Sequence, residues 1–204
     1  MHAVRKISAS WVKLFALLST VLFSNHALPA DNAKWVSGGY IFSDERGGFR
    51  IVGISGSGSR NDPIILHQEI ATSQSITLVI RPVDAERVRY SLGLITNGAL
   101  YIKLVTHNQS NLPWVGYGLE LQEILHKPSI YGDGLSFDQL SRESTHIQSD
   151  RFLDHELQFE PGDRLVYTNG WVDDHHFVSL KFKITDFTPV AEFFLLQDPM
   201  IPAS

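Results

Sequence analysis

The stretch Val178-Ser179-Leu180-Lys181-Phe182-Lys183-Ile184 decides the fold class of this 204-residue chain. Its apolar and polar residues alternate one by one, and a period of two places the apolar side chains on one face of a β-strand. The same alternation runs through Leu100–Val105, where Tyr101 and Lys103 belong to the second face, and through Ser75–Ile80. These three segments predict strands that bury one face and expose the other.

Seven further segments have strand character, and turn residues separate several of them. Glu160-Pro161-Gly162-Asp163, for example, predicts a tight turn. Helix is scarce: Ser136 is a suitable cap for a short helix to about Glu143. We therefore expect an all-β fold, a single antiparallel β-sandwich or barrel-like domain of about ten strands. The further segments are Phe49–Ile54, Ile64–Ile70, Val88–Ile95, Val115–Ile124, His155–Phe159, Arg164–Thr168 and Ala191–Leu196.

The first thirty residues have the features of a secretory signal peptide. Basic residues precede an apolar run from Val12 to Phe23, and small residues follow at Ala27 and Ala30, either of which is a candidate cleavage site. The alternative is an uncleaved membrane anchor, but a run of about a dozen residues is short of the roughly 20 that a spanning helix needs. We expect export, to the periplasm or beyond, and no transmembrane segment in the mature chain.

The remaining residues, 31–204, are expected to form one β domain with a mobile tail at 197–204. The whole chain has 17 basic and 22 acidic residues. Three of the basic residues, Arg5, Lys6 and Lys13, lie in the signal segment, which leaves the mature chain at −8. This charge argues against nucleic acid as the main partner, because phosphate-backbone binding requires concentrated positive charge.

The chain contains no cysteine. This excludes disulfides, thiol catalysis and an N-terminal lipid anchor on cysteine. Because small secreted eukaryotic domains are usually rich in disulfides, we favour a bacterial cell envelope as the location. The sequence Asn108-Gln109-Ser110 matches a glycosylation acceptor, but a bacterial origin would make this match accidental.

Two polar clusters invite a metal-binding interpretation. Asp154 and His155 lie in the first, and Asp173 and His175 in the second, and imidazole and carboxylate groups suit zinc and similar ions. Both clusters flank the predicted Glu160–Gly170 hairpin region, so they could converge. The alternative is ordinary solvated loop polarity, and the HExxH spacing of zinc proteases is absent.

Aromatic residues offer a second kind of candidate site. Trp114, Tyr117 and Tyr131 could line a ligand groove together with the long irregular stretch 128–150, because aromatic faces suit sugars and apolar ligands. The alternative for these residues is packing in the core.

These observations predict a non-catalytic binding or envelope-support module with an unidentified protein, glycan or lipid partner. No motif for a cofactor is found, so we expect none. The alternative function is a small metal-dependent hydrolase that uses Asp154, His155, Asp173 and His175.

Overall fold

The alternating segments form the central strands of two β-sheets in the computed structural model. The structure describes residues 35–83, 99–130, 132–137, 145–187 and 190–203. The predicted signal peptide and the predicted strand Val88–Ile95 lie outside these residues. In the described ranges there are thirteen strands, and no helix among them is long and apolar enough to cross a membrane.

Seven strands form the first sheet in the order β1-β2-β5-β13-β7-β11-β10, and all its pairings are antiparallel. The strands are β1 (Trp35–Ser37), β2 (Tyr40–Ser43), β5 (Ile76–Pro82), β7 (Gly116–Gln122), β10 (Phe152–Gln158), β11 (Arg164–Gly170) and β13 (Phe193–Met200).

The remaining six strands form the second sheet, in the order β3-β4-β6-β12-β8, with β9 also paired to β12. The strands are β3 (Phe49–Ser55), β4 (Ile64–Ile70), β6 (Ala99–Asn108), β8 (Leu135–Phe137), β9 (Gln148–Ser149) and β12 (Phe177–Asp186).

One hydrophobic core lies between the two sheets. Leu78 and Leu195 of the first sheet and Leu66, Leu104 and Leu180 of the second are all completely buried in it. The arrangement confirms an all-β, sandwich-like fold with two sheets that do not close into a barrel. Because burial alternates along β6, its other face is free to carry polar groups.

A buried polar network joins the sheets inside this core. The amide of Gln68 on β4 donates to Gln197 Oε1 on β13 at 2.7 Å, and Gln197 Nε2 donates back to Gln68 Oε1 at 3.1 Å. Gln68 also donates to Thr106, and the Tyr117 hydroxyl donates to Gln197 at 2.8 Å. These bonds compensate the desolvation of groups that would be costly to bury alone.

Three details differ from the sequence-based expectations. β4 and β6 are parallel, because the chain passes through β5 in the other sheet before it returns. Ser136 lies in β8, paired with β12, where a helix was expected to begin, and 138–143 lie outside the described residues. Gln197–Met200, expected in a mobile tail, belong to β13, since Gln197 is anchored by the buried network.

Candidate functional site

The two described aromatic residues that were proposed to line a ligand groove lie in the core. Trp114 and Tyr117 are completely buried, and their rings pack against each other at 5.5 Å between centroids. The Trp114 indole N–H donates to the Ser110 hydroxyl at 3.1 Å. In this structure both rings pack in the core, which was the alternative interpretation. Tyr131 lies outside the described residues.

The proposed metal ligands are exposed residues of two separate segments. Asp154 and His155 are on β10, where the Asp154 carboxylate accepts a hydrogen bond from Asn169 at 3.0 Å. The Asp173 carboxylate accepts a hydrogen bond from the Trp171 indole N–H. His175 Nε2 lies 3.1 Å from Asp174 Oδ2.

Within the described ranges, no three His, Cys, Asp or Glu side chains are close enough together to hold a metal ion. The structure therefore does not bring Asp154, His155, Asp173 and His175 into one site, and metal binding stays a prediction.

Asn108 fixes the loop that carries Asp173 and His175. Its completely buried side-chain amide donates to the backbone carbonyls of Leu112, Val172 and Asp173, at 2.8 to 3.2 Å. Its oxygen accepts from the Ser110 backbone and hydroxyl groups. The amide of Asn108 is thus engaged in holding two loops, and in the folded chain it is inaccessible to a glycosylating enzyme.

Asp163 has a strongly perturbed carboxyl group. Burial raises its pKa from 3.8 to about 7, while the nearby Ser136 hydroxyl and the Phe137 backbone N–H act in the opposite direction. The side chain is completely buried in the β10–β11 turn, and its Oδ1 accepts from Phe137 N at 3.2 Å. A group so enclosed cannot meet a substrate, so we interpret Asp163 as a link between this turn and β8.

A cavity of about 420 Å³ lies where β3 begins and β4 ends, and is lined by Arg50, Glu69 and Gln109 among others. Arg50 and Glu69 form an ion pair at 2.7 Å. Each charge at this cavity already has an oppositely charged partner beside it.

The outer face of the six-stranded sheet presents a different arrangement. β6 and β12 are antiparallel neighbours over nine residue pairs. The residues that lie on the face away from the core include Tyr101, Lys103 and His107 of β6 and Ser179 and Lys181 of β12. In this register Lys103 lies directly opposite Lys181. Residues opposite each other on antiparallel strands have Cβ atoms about 4.5–5.5 Å apart. Two ammonium groups are thus carried by adjacent positions of one surface.

Two cavities adjoin this lysine pair, and we call them together the lysine cleft. The first, about 260 Å³, is lined by Tyr101 and His146, and the second, about 240 Å³, by Asp150 and Ser179. Three residues, Lys103, Gln148 and Lys181, line both cavities.

The polar groups of the lysine cleft are mainly hydrogen-bond donors. Lys181 Nζ donates to Gln148 Oε1 at 3.3 Å. Asp150 is the acidic residue among those that line the cleft, and its Oδ1 accepts from the Ser179 backbone N–H at 2.8 Å. Neither Lys103 nor Lys181 forms an ion pair with a side chain in the described part of the chain. The cleft can therefore hold an oxyanion between two charged donors.

Two stacked aromatic rings lie on the same face, at the start of β12. There His107 lies opposite Phe177, and their rings stack with centroids 4.2 Å apart and planes 10° from parallel. The Phe177 side chain remains 54% exposed. At the other end, Tyr101 meets His146 edge-on at 5.2 Å. Aromatic rings thus lie on both sides of the lysine pair.

Sequence reasoning missed this site although it recognised both strands. The alternation placed Lys103 and Lys181 on polar faces, but the two residues are far apart in the chain, and only the register of β6 on β12 makes them neighbours. The signal available in the sequence was that both strands alternate between polar and apolar residues. Alternation does not determine which residue of β6 lies opposite which residue of β12.

Comparison with known proteins gives no match. No protein-family model matches the chain, and neither a curated protein nor a solved structure matches it.

Proposed function

We propose that the protein is an exported, non-catalytic binding module that takes an anionic ligand in the lysine cleft. The export part of the proposal comes from the signal-like segment Met1 to Ala30. The binding part comes from the structure of the outer face of the six-stranded sheet.

The opposed lysines, Lys103 and Lys181, are the observation that carries the proposal. Like charges directly opposite each other on neighbouring strands destabilise a sheet. Packing of the two strands therefore does not explain why lysines occupy these opposed positions. In a chain with net charge −5, this pair is a local concentration of the opposite sign. An anion bound between the two ammonium groups would relieve their repulsion.

The lining of the cleft supports binding of a molecule larger than a simple ion. Gln148 and Ser179 add amide and hydroxyl groups beside the lysines, while Tyr101 and Pro63 add apolar surface. Polar side chains beside a smaller apolar surface suit a ligand that has both charged and apolar parts.

Calorimetric titration of the mature protein with dextran sulfate tests this proposal. We expect the affinity for dextran sulfate to fall about tenfold in the single variant Lys181→Gln and about tenfold in the single variant Lys103→Gln. Each substitution removes one charge-assisted contact. Binding should also weaken as salt is raised. Lys127→Gln, an exposed lysine outside the cleft, is the matched control and should bind as the wild type does. Equal affinity in all four proteins would refute the proposal.

A further inference from the structure

We infer that the ligand is an extended acidic polysaccharide that lies along the outer face of β6 and β12. This inference depends on the proposed function, because it places the charged groups of the chain in the lysine cleft. We call the surface in question the basic-aromatic strip, and it comprises Tyr101, Lys103, His107, Phe177 and Lys181.

The register of the two strands gives the strip its length. Tyr101, Lys103 and His107 all lie on one face of β6, since the residues between them with even numbers face the core. With a rise of about 3.4 Å per residue, the six steps from Tyr101 to His107 span roughly 20 Å. A compact anion such as sulfate would contact only the lysines, whereas a chain can reach both ends.

The aromatic ends indicate what kind of chain fits. The Phe177 ring is held flat against His107 and is still half exposed, so it forms a rigid apolar platform that needs little further ordering. A single exposed phenylalanine is ordinary on a protein surface. Here the ring is aligned with two lysines and a second aromatic residue, Tyr101, on the same face. Sugar rings have apolar faces that suit such platforms, and acidic sugars also supply carboxylate or sulfate groups for the lysines.

The charge of the whole chain favours an acidic glycan over a nucleic acid. At −5 overall, the protein repels a densely charged phosphate backbone outside the strip. A polysaccharide with spaced charges meets less of this repulsion while it still satisfies Lys103 and Lys181.

Hyaluronan-derived oligosaccharides of increasing length test the inference, since they carry one carboxylate group in each disaccharide and so have spaced charges. We expect Phe177→Ala to weaken binding of the octasaccharide about fivefold and to leave binding of the disaccharide unchanged, because the disaccharide is too short to reach from the lysines to the ring. Phe177→Leu, which keeps apolar area but removes the flat ring, should have a similar effect. Phe187→Ala is the matched control: Phe187 is 46% exposed and follows the far end of β12. It should leave both affinities unchanged.

Each other outcome overturns a defined part of this account. If Phe177→Ala leaves the octasaccharide affinity unchanged while Lys181→Gln still weakens dextran sulfate binding, the extended ligand is wrong and the proposed function stands. If oligothymidylate of equal charge binds more tightly than the octasaccharide, the ligand is a nucleic acid and the inference is wrong. If no lysine substitution affects any of these ligands, the proposed function itself fails.

Discussion

At the scale of single residues, the desolvation of a polar group depends on contacts with residues that are distant in the chain. Asp163 lies in a turn that the sequence predicted from Glu160-Pro161-Gly162-Asp163, and this turn joins β10 to β11 as expected. The burial of its carboxyl group was not predictable, because β8 and Ser129 supply the enclosing contacts. Turn propensity is a local property, whereas desolvation depends on the assembled fold.

The raised pKa of Asp163 predicts a pH dependence of stability. Between its unfolded value of 3.8 and its folded value of about 7, the carboxyl is protonated in the native state and ionised in the unfolded state. Unfolding then releases a proton, so the contribution of Asp163 to stability is complete below about pH 4 and is lost as the pH rises through 7.

Asp163→Asn should remove this contribution to the slope, since the amide cannot ionise. Urea unfolding across this pH range measures the effect, and we expect the wild type to lose roughly 2–4 kcal/mol relative to the variant between pH 4 and pH 7. Parallel curves for the two proteins would show that the carboxyl group is not desolvated in the folded state.

At the scale of strands, the pairing of β6 with β12 determines the chemistry of the outer face. The sequence predicted both strands and which residues face the core, because a period of two is strictly local. It predicted neither the register that opposes Lys103 to Lys181 nor the parallel pairing of β4 with β6. Both depend on how distant segments meet, and alternation alone is compatible with several registers.

This register predicts that a residue proposed for binding also destabilises the unliganded fold. Replacing Lys103 or Lys181 by Gln removes a like-charge pair and should raise the free energy of unfolding by about 0.5 kcal/mol at low salt. Either single substitution relieves the same repulsion, so the double variant should gain little more than one alone.

Urea unfolding of the two single variants and the double variant, at low and high salt, measures this effect. The gain should shrink as salt screens the pair. A loss of stability in both single variants would mean that the lysines are held by stabilising contacts and are not poised for a ligand.

At the scale of the whole molecule, the two sheets separate structural and proposed binding roles. The polar residues between the sheets, such as Gln68 and Gln197, are fully engaged with each other. Lys103 and Lys181, on the outer face of the six-stranded sheet, form no ion pair with an acidic side chain of the described ranges. The sequence predicted an all-β chain, exported and with an unidentified partner, and the lysine cleft is the location that we propose for this partner.

The central claim, that the lysine cleft is the ligand site, is tested most directly by NMR titration of the isotope-labelled mature protein with the hyaluronan octasaccharide. Our account predicts that the largest chemical-shift changes occur at Lys103, Gln148, Ser179 and Lys181, and extend along β12 to Phe177. Changes that cluster instead around Asp154 and Asp173, while the lysine cleft stays unperturbed, would contradict it.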